Sequence, residues 1–110
     1  MSRRILQINE LLRERLGEII LREVSFKPGV LATLTKVSVS RDLRHASVHI
    51  SPFPETESEY VMRTLEHERK RIQKILHGGL HMKPLPAIAF LTDTTEREAD
   101  IVERILRDLD

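Results

Sequence analysis

Thr35-Lys-Val-Ser-Val-Ser-Arg-Asp-Leu-Arg-His-Ala-Ser-Val-His-Ile-Ser51 alternates apolar and polar residues twice, with a charged stretch between the two runs. Side chains on a strand alternate faces. Val37 and Val39 therefore share one face while Lys36, Ser38 and Ser40 take the other; after the charged stretch, Ala46, Val48 and Ile50 oppose His45, Ser47 and His49. The pattern predicts a β-hairpin with one face built for a core and the other left polar. Arg41, Asp42, Leu43 and Arg44 form its connection. Asp42 suits a turn, and the two arginines stand in solvent as anion-seeking groups.

Before the hairpin, Ile5, Ile8, Leu12, Leu16, Ile19 and Ile20, joined by Leu11, recur at three- and four-residue steps, which predicts an amphipathic helix from about Arg3 to Val24. Lys27-Pro28-Gly29 ends that run, because proline cannot continue a helix and glycine permits the turn back. After the hairpin, Pro52, Phe53 and Pro54 stop the second strand, and Thr56 with Glu59 forms a capping box for a second helix, Glu57 to His77. Its stripe is Val61, Leu65, Ile72 and Leu76, but Glu68 and Arg69 occupy the turn where the stripe should continue. The helix is expected either to bend there or to let those side chains snorkel past the core edge. Length favours a break: about 21 helical residues reach roughly 32 Å, against about 23 Å for a seven-residue strand. Gly78-Gly79 is the other candidate break.

Pro84 to Asp93 reads as a third, largely buried strand with prolines at its start, and Thr94 or Thr95 can cap a closing helix that buries Ile101, Val102, Ile105 and Leu106. The expected fold is a single α+β domain over residues 1–110, with a three-stranded sheet carrying its helices on one face.

The 110 residues, 40% hydrophobic and 32% charged, suit one modest core. With no cysteine, the chain offers no disulfide framework, thiolate metal site or cysteine nucleophile. The opening residues carry charge at once and contain no long apolar run, so a soluble cytoplasmic protein with no membrane partner is expected. A net charge of +1 conceals an uneven layout. Residues 1–83 hold 15 Lys and Arg against 10 Asp and Glu, while residues 84–110 hold 3 against 7. From Arg69 to Lys83 there is no carboxylate, and such a stretch can attract phosphates through counterion release.

Several segments now resemble one known family. The order of elements is similar to a type II KH domain, and Val37-Ser-Val-Ser-Arg-Asp-Leu-Arg-His-Ala-Ser-Val-His-Ile50 closely resembles the hairpin signature of ribosome-binding factor A. Arg4-Ile-Leu-Gln-Ile-Asn-Glu-Leu-Leu with Leu16-Gly-Glu-Ile-Ile-Leu-Arg-Glu-Val, and Pro86-Ala-Ile-Ala-Phe-Leu-Thr-Asp93, fit the same family, so the resemblance covers nearly the whole chain. It implies a KH type II-like fold with a kinked central helix. It also implies a non-enzymatic factor that binds ribosomal RNA of the immature bacterial small ribosomal subunit near the decoding region during late rRNA processing. Association with cold growth and release by a ribosome-bound GTPase come with the same resemblance. One departure is visible: Glu68-Arg69-Lys70 stands where the family carries a glycine at the kink. The bend then either survives there or moves toward Gly78-Gly79.

Read together, the residues expected to meet RNA are Arg3 and Arg4 at the front of the first helix, Lys36, Arg41, Arg44 and His45 in the hairpin, and Arg69, Lys70, Arg71, Lys74, His81 and Lys83 farther along. Phe26, Phe53, Phe90 and Tyr60 are the sole aromatics, so backbone or shape recognition fits better than base stacking on a sheet. No metal or other cofactor is expected. His45 and His49 lie about 13 Å apart along a strand, and Gly78-Gly79 interrupts His77 and His81. Glu66 with Glu68 and Glu96 with Glu98 fall on different helix faces, and the four glycines fit neither a P-loop nor a dinucleotide fingerprint, so no enzyme is expected. A second reading is a protein-interaction domain, monomeric like the first, that meets ribosomal proteins or another assembly factor through the acidic last segment. There Arg97, Arg104 and Arg107 interleave with Glu96, Glu98, Asp100, Glu103, Asp108 and Asp110.

Overall fold

The computed structural model describes residues 2–93, ordered as α1 (Arg3–Glu23), β1 (Leu31–Val39), β2 (His45–Phe53), a single 3-10 turn (Glu55–Glu57), α2 (Ser58–Gly79) and β3 (Ala87–Thr92). The expected closing helix, with Thr94 or Thr95 as its cap, lies outside the described residues. The sheet order is β1-β2-β3, with β1 and β2 antiparallel and β2 and β3 parallel, so α2 is the crossover that a parallel pair requires.

α1 begins where the Ser2 hydroxyl accepts from the Ile5 N–H at 3.2 Å, and it buries Ile8, Leu12, Leu16, Ile19 and Ile20. Leu11, read as part of that stripe, is instead exposed. The helix ends at Glu23, before the proline. Pro28 and Gly29 form a separate turn closed by the Val30 N–H donating to the Lys27 carbonyl at 3.1 Å, with Gly29 at φ 84°, a left-handed value that glycine adopts without steric cost.

β1 starts four residues earlier than the hairpin motif shows, and a bulge joins its two halves. The register with β2 shifts between Leu34 and Lys36. Thr35 is the extra residue, so the core face switches phase there: Val30, Ala32 and Leu34 pack inward before it, Val37 and Val39 after it. The Thr35 hydroxyl lies within hydrogen-bond distance of both the His49 carbonyl, at 3.2 Å, and the Asp93 carboxylate, the two acceptors for its one proton, which holds the irregularity in place.

β2 continues through Pro52 to Phe53, past the proline expected to stop it. β3 pairs only with His45 to Ile50, so among the described residues the far end of β2 has a single neighbour and the proline's missing donor breaks no ladder bond on the other side. β3 is an edge strand that buries Ile88 and half-buries Phe90 while exposing Ala87, Ala89, Leu91 and Thr92, rather than the largely buried strand expected.

Two expectations for α2 are corrected. The capping box does not form, because the 3-10 turn occupies Thr56 and the helix starts at Ser58 after Glu57, which makes no side-chain cap bond. The helix is also continuous from Ser58 to Gly79, with no division at Glu68–Lys70 or at Gly78-Gly79. Glu68 and Arg69 stay in the helix with side chains only 27% and 32% exposed, their stems along the core edge and their charges paired outward with Arg71 and Glu66. The excess length is real, however. The last turn, His77 to Gly79, is exposed, and a side chain at Gly78 or Gly79 would enter open space.

One core joins both helices to one face of the sheet: Leu12, Leu16, Val48, Ile50, Val61, Leu65, Ile72 and Leu76 are almost completely buried within it. Gln73 fastens the crossover to β3. Its Nε2 donates to the Pro86 carbonyl at 3.1 Å, and its Oε1 accepts from the Ile88 N–H at 2.8 Å. Gln73→Leu leaves that half-buried N–H without its acceptor, so urea unfolding is expected to show a loss of about 1–3 kcal/mol.

Candidate nucleic-acid interface

Three chain-distant segments meet at the end of the molecule where the hairpin turns. α1 runs antiparallel to β1: the Asn9 Oδ1 accepts from the Val39 N–H at 2.9 Å, which brings the helix N-terminus beside the end of β1. β3 starts beside the turn, where the Ala87 N–H donates to the Arg44 carbonyl at 2.8 Å. Arg3, Arg4, Arg41, Arg44, His45, His81 and Lys83 therefore belong to segments at this one pole of the molecule, and all are exposed. Among the described residues, none of them enters an ion pair.

The first turn of α1 holds no acidic residue, so the charges of Arg3 and Arg4 add to the positive end of the helix dipole instead of offsetting it. That costs α1 a little stability and raises the positive potential where an anion would approach.

The turn itself is rigidly organised. The Ser40 hydroxyl accepts from the His45 N–H at 3.0 Å and donates to Asp42 Oδ1 at 2.6 Å, and the same carboxylate oxygen accepts from the Arg44 N–H at 3.1 Å. Leu43 adopts φ 60°, an unusual conformation for a branched side chain, and packs against the core in doing so. The Ser40 hydroxyl, with the Arg44 N–H second, holds the Asp42 carboxyl below its ordinary pKa.

The only acid in the turn thus works internally and leaves the flanking arginines to face outward. Its contribution to stability is present above the ordinary carboxylate range and is lost as pH falls through the depressed value. Asp42→Ala is accordingly expected to lower the melting temperature at neutral pH, with the difference from the unaltered protein closing in acid well below about pH 4. Thermal melts at several pH values read this directly.

The basic run on α2 behaves differently from its sequence reading. Arg69 pairs with Glu66 at 3.0 Å. Arg71 pairs with Glu68 at 2.7 Å and with Glu23 at 3.0 Å, and also donates to the Glu23 carbonyl at 2.7 Å. Arg71 therefore clamps the C-terminal end of α1 to the middle of α2. The bonds to Glu68 and then Glu23 raise its pKa, and Arg71 together with Arg22 lowers that of Glu23.

A stretch with no carboxylate in sequence is thus neutralised by carboxylates from neighbouring turns and from α1. Lys70 and Lys74, one helical turn apart and exposed, are the cations this region leaves outside ion pairs among the described residues. Lys36 stands apart again, exposed on the polar sheet face opposite His49. The twelve residues thus separate into the pole, the α2 lysines with their two tethered arginines, and Lys36. Reading the sequence missed Asn9 and Gln73, whose side chains bond segments distant in sequence, and Ser40, whose hydroxyl orders the turn through Asp42 and His45.

No group of three or more His, Asp or Glu among the described residues could hold a metal ion, and no helix among them is long and apolar enough to cross a membrane.

Fold and site together define a small α+β domain with a preorganised, exposed cationic pole. The family model described as ribosome-binding factor A matches residues 4–106, and the chain belongs to that family. It is 31% identical over 109 residues to the ribosome-binding factor A of Pelagibacter ubique, covering 96% of this chain and 89% of the relative. The crystal structure of ribosome-binding factor A from Thermus thermophilus is similar at a TM-score of 0.68 and 27% identity, over 80% of this chain and 93% of that one. A Thermus thermophilus ribosome binding factor A homology model, fitted into a cryo-EM map of a 30S–RbfA complex, matches at a TM-score of 0.65 and 28% identity, over 78% and 91%.

Proposed function

We propose that this protein binds the ribosomal RNA of the immature bacterial small subunit, acts in late rRNA processing and assembly in the cytoplasm, and carries out no bond chemistry. The observation that carries this reading is the pole: Arg3, Arg4, Arg41, Arg44 and Lys83 converge from three segments with no ion pair among the described residues to consume their charge. Maintaining clustered like charge works against folding and favours phosphate binding, since each phosphate neutralised releases counterions. Family membership and the similarity to a Thermus thermophilus protein fitted into a 30S complex support the same partner. The protein acts as a monomer in this reading, contributes to growth in the cold, and is released by a ribosome-associated GTPase.

Co-sedimentation with immature and mature small subunits tests the proposal. The expected result is preferential retention on immature particles, with affinity falling steeply as salt rises. Retention indifferent to salt would instead indicate an apolar contact with a ribosomal protein or another assembly factor.

A further inference from the structure

Beside the pole, the exposed end of α2 and the connection to β3 enclose a cavity of about 700 Å³, lined by His77 and residues 80–85. Its floor is apolar: Leu80, Met82 and Leu85 are half-buried and packed against the core. Its polar rim is His77, His81 and Lys83, all exposed, and among the described residues no carboxylate lines it.

The space lies next to the last turn of α2, where His77, Gly78 and Gly79 are exposed and a side chain at either glycine would meet nothing within 4 Å. The volume falls within the range of small-ligand pockets, and the segment that carries Lys83 leads into β3, where the Ala87 N–H donates to the Arg44 carbonyl at 2.8 Å.

We propose that this cavity receives one unpaired nucleotide of the bound RNA. Its base lies on Leu80, Met82 and Leu85, the imidazoles of His77 and His81 flank it, and its phosphate meets Lys83. A flat base has an apolar face for the floor, a polarisable thioether is a favourable neighbour for a π-system, and the cationic rim complements the attached phosphate. Base-paired RNA offers the rim its phosphates but has no free base face for the floor.

This inference rests on the RNA-binding reading above, and its test separates the two. Unaltered protein bound to immature small subunits is irradiated at short wavelength, and linked peptides and nucleotides are mapped. The expected result is a link between residues 77–85 and a nucleotide outside any helix. Links to rRNA confined to other segments, or links from residues 77–85 to paired nucleotides or to protein, overturn the pocket while leaving RNA binding intact. Failure of the unaltered protein to associate with the particles overturns both.

As a second arm, Met82→Asp is expected to weaken binding roughly tenfold to an RNA hairpin with an unpaired extension, and far less to the same hairpin without it. Equal weakening of the two RNAs, or none, contradicts the proposal. His77→Ala, at an exposed position where the imidazole flanks the base, repeats the comparison without disturbing the floor.

Discussion

Glutamine at Arg3, Arg4, Arg41, Arg44 and Lys83 together is expected to weaken binding to immature small subunits by at least about a hundredfold near 0.1 M salt. That magnitude follows from counterion release. Each phosphate contact contributes close to a tenfold change in affinity at that ionic strength, so the loss follows even if only two or three of the five touch phosphate. The slope of log affinity against log salt should become shallower by about one for each contact removed. Thermal stability should hold or rise slightly, since none of the five makes an ion pair among the described residues and two of them oppose the α1 dipole.

The same substitution at Arg69 and Arg71 is expected to give the reverse pattern. Arg71 holds the Glu23 carboxylate and carbonyl, so its loss loosens the join between α1 and α2 and lowers the melting temperature while changing the salt slope little. Unchanged affinity and slope in the five-residue variant would place the contact elsewhere.

Leu65→Ala is expected to be the most damaging single change to the fold, costing about 2–5 kcal/mol in denaturant unfolding. Leu65 is completely buried at the centre of the α2 stripe, between Val61 and Ile72, in the single core that both helices share with the sheet. Glu68 and Arg69 occupy the next turn, so no neighbouring apolar side chain on that side of α2 can relax into the void. For a domain of this size the loss is a large share of total stability. A loss below about 1 kcal/mol would mean that the α2 stripe is not the keystone of the core.

The hairpin and the apolar faces of both helices were legible because they depend on local periodicity, which burial rewards directly: Val37, Val39, Ala46, Val48 and Ile50 all turn inward as the alternation requires. The bulge was not legible. Thr35 interrupts the alternation without a glycine or any local signal, and only the pairing with β2 reveals that Ala32 and Leu34 share a face with Val37. Of the two alternatives at Glu68 and Arg69 in α2, a bend or side chains that snorkel past the core edge, the continuous helix takes the second. Glu68 and Arg69 are strong helix formers whose long stems can border a core while their charged ends reach partners one turn away, so propensity outweighed the gap in the stripe.

The site divided along the same line. Arg41, Arg44 and Asp42 could be placed from the turn alone. That Arg3, Arg4 and Lys83 join them depends on the antiparallel course of α1 along β1 and on the start of β3, both secured by long-range hydrogen bonds from Asn9 and Arg44. The neutralisation of Arg71 by Glu23 spans 48 residues of sequence and could not be read from its neighbours.

In the proposed function the pole, not the opposite end, faces ribosomal RNA, and the absence of cysteine makes this directly measurable. Arg41→Cys and Ser25→Cys each introduce a single thiol, one in the hairpin turn and one at the far end, before the turn that leads into β1. With an iron chelate tethered to each and the protein bound to immature small subunits, hydroxyl radicals should cut rRNA strongly from position 41 and weakly or not at all from position 25. Strong cutting from position 25 with none from position 41 would contradict the account.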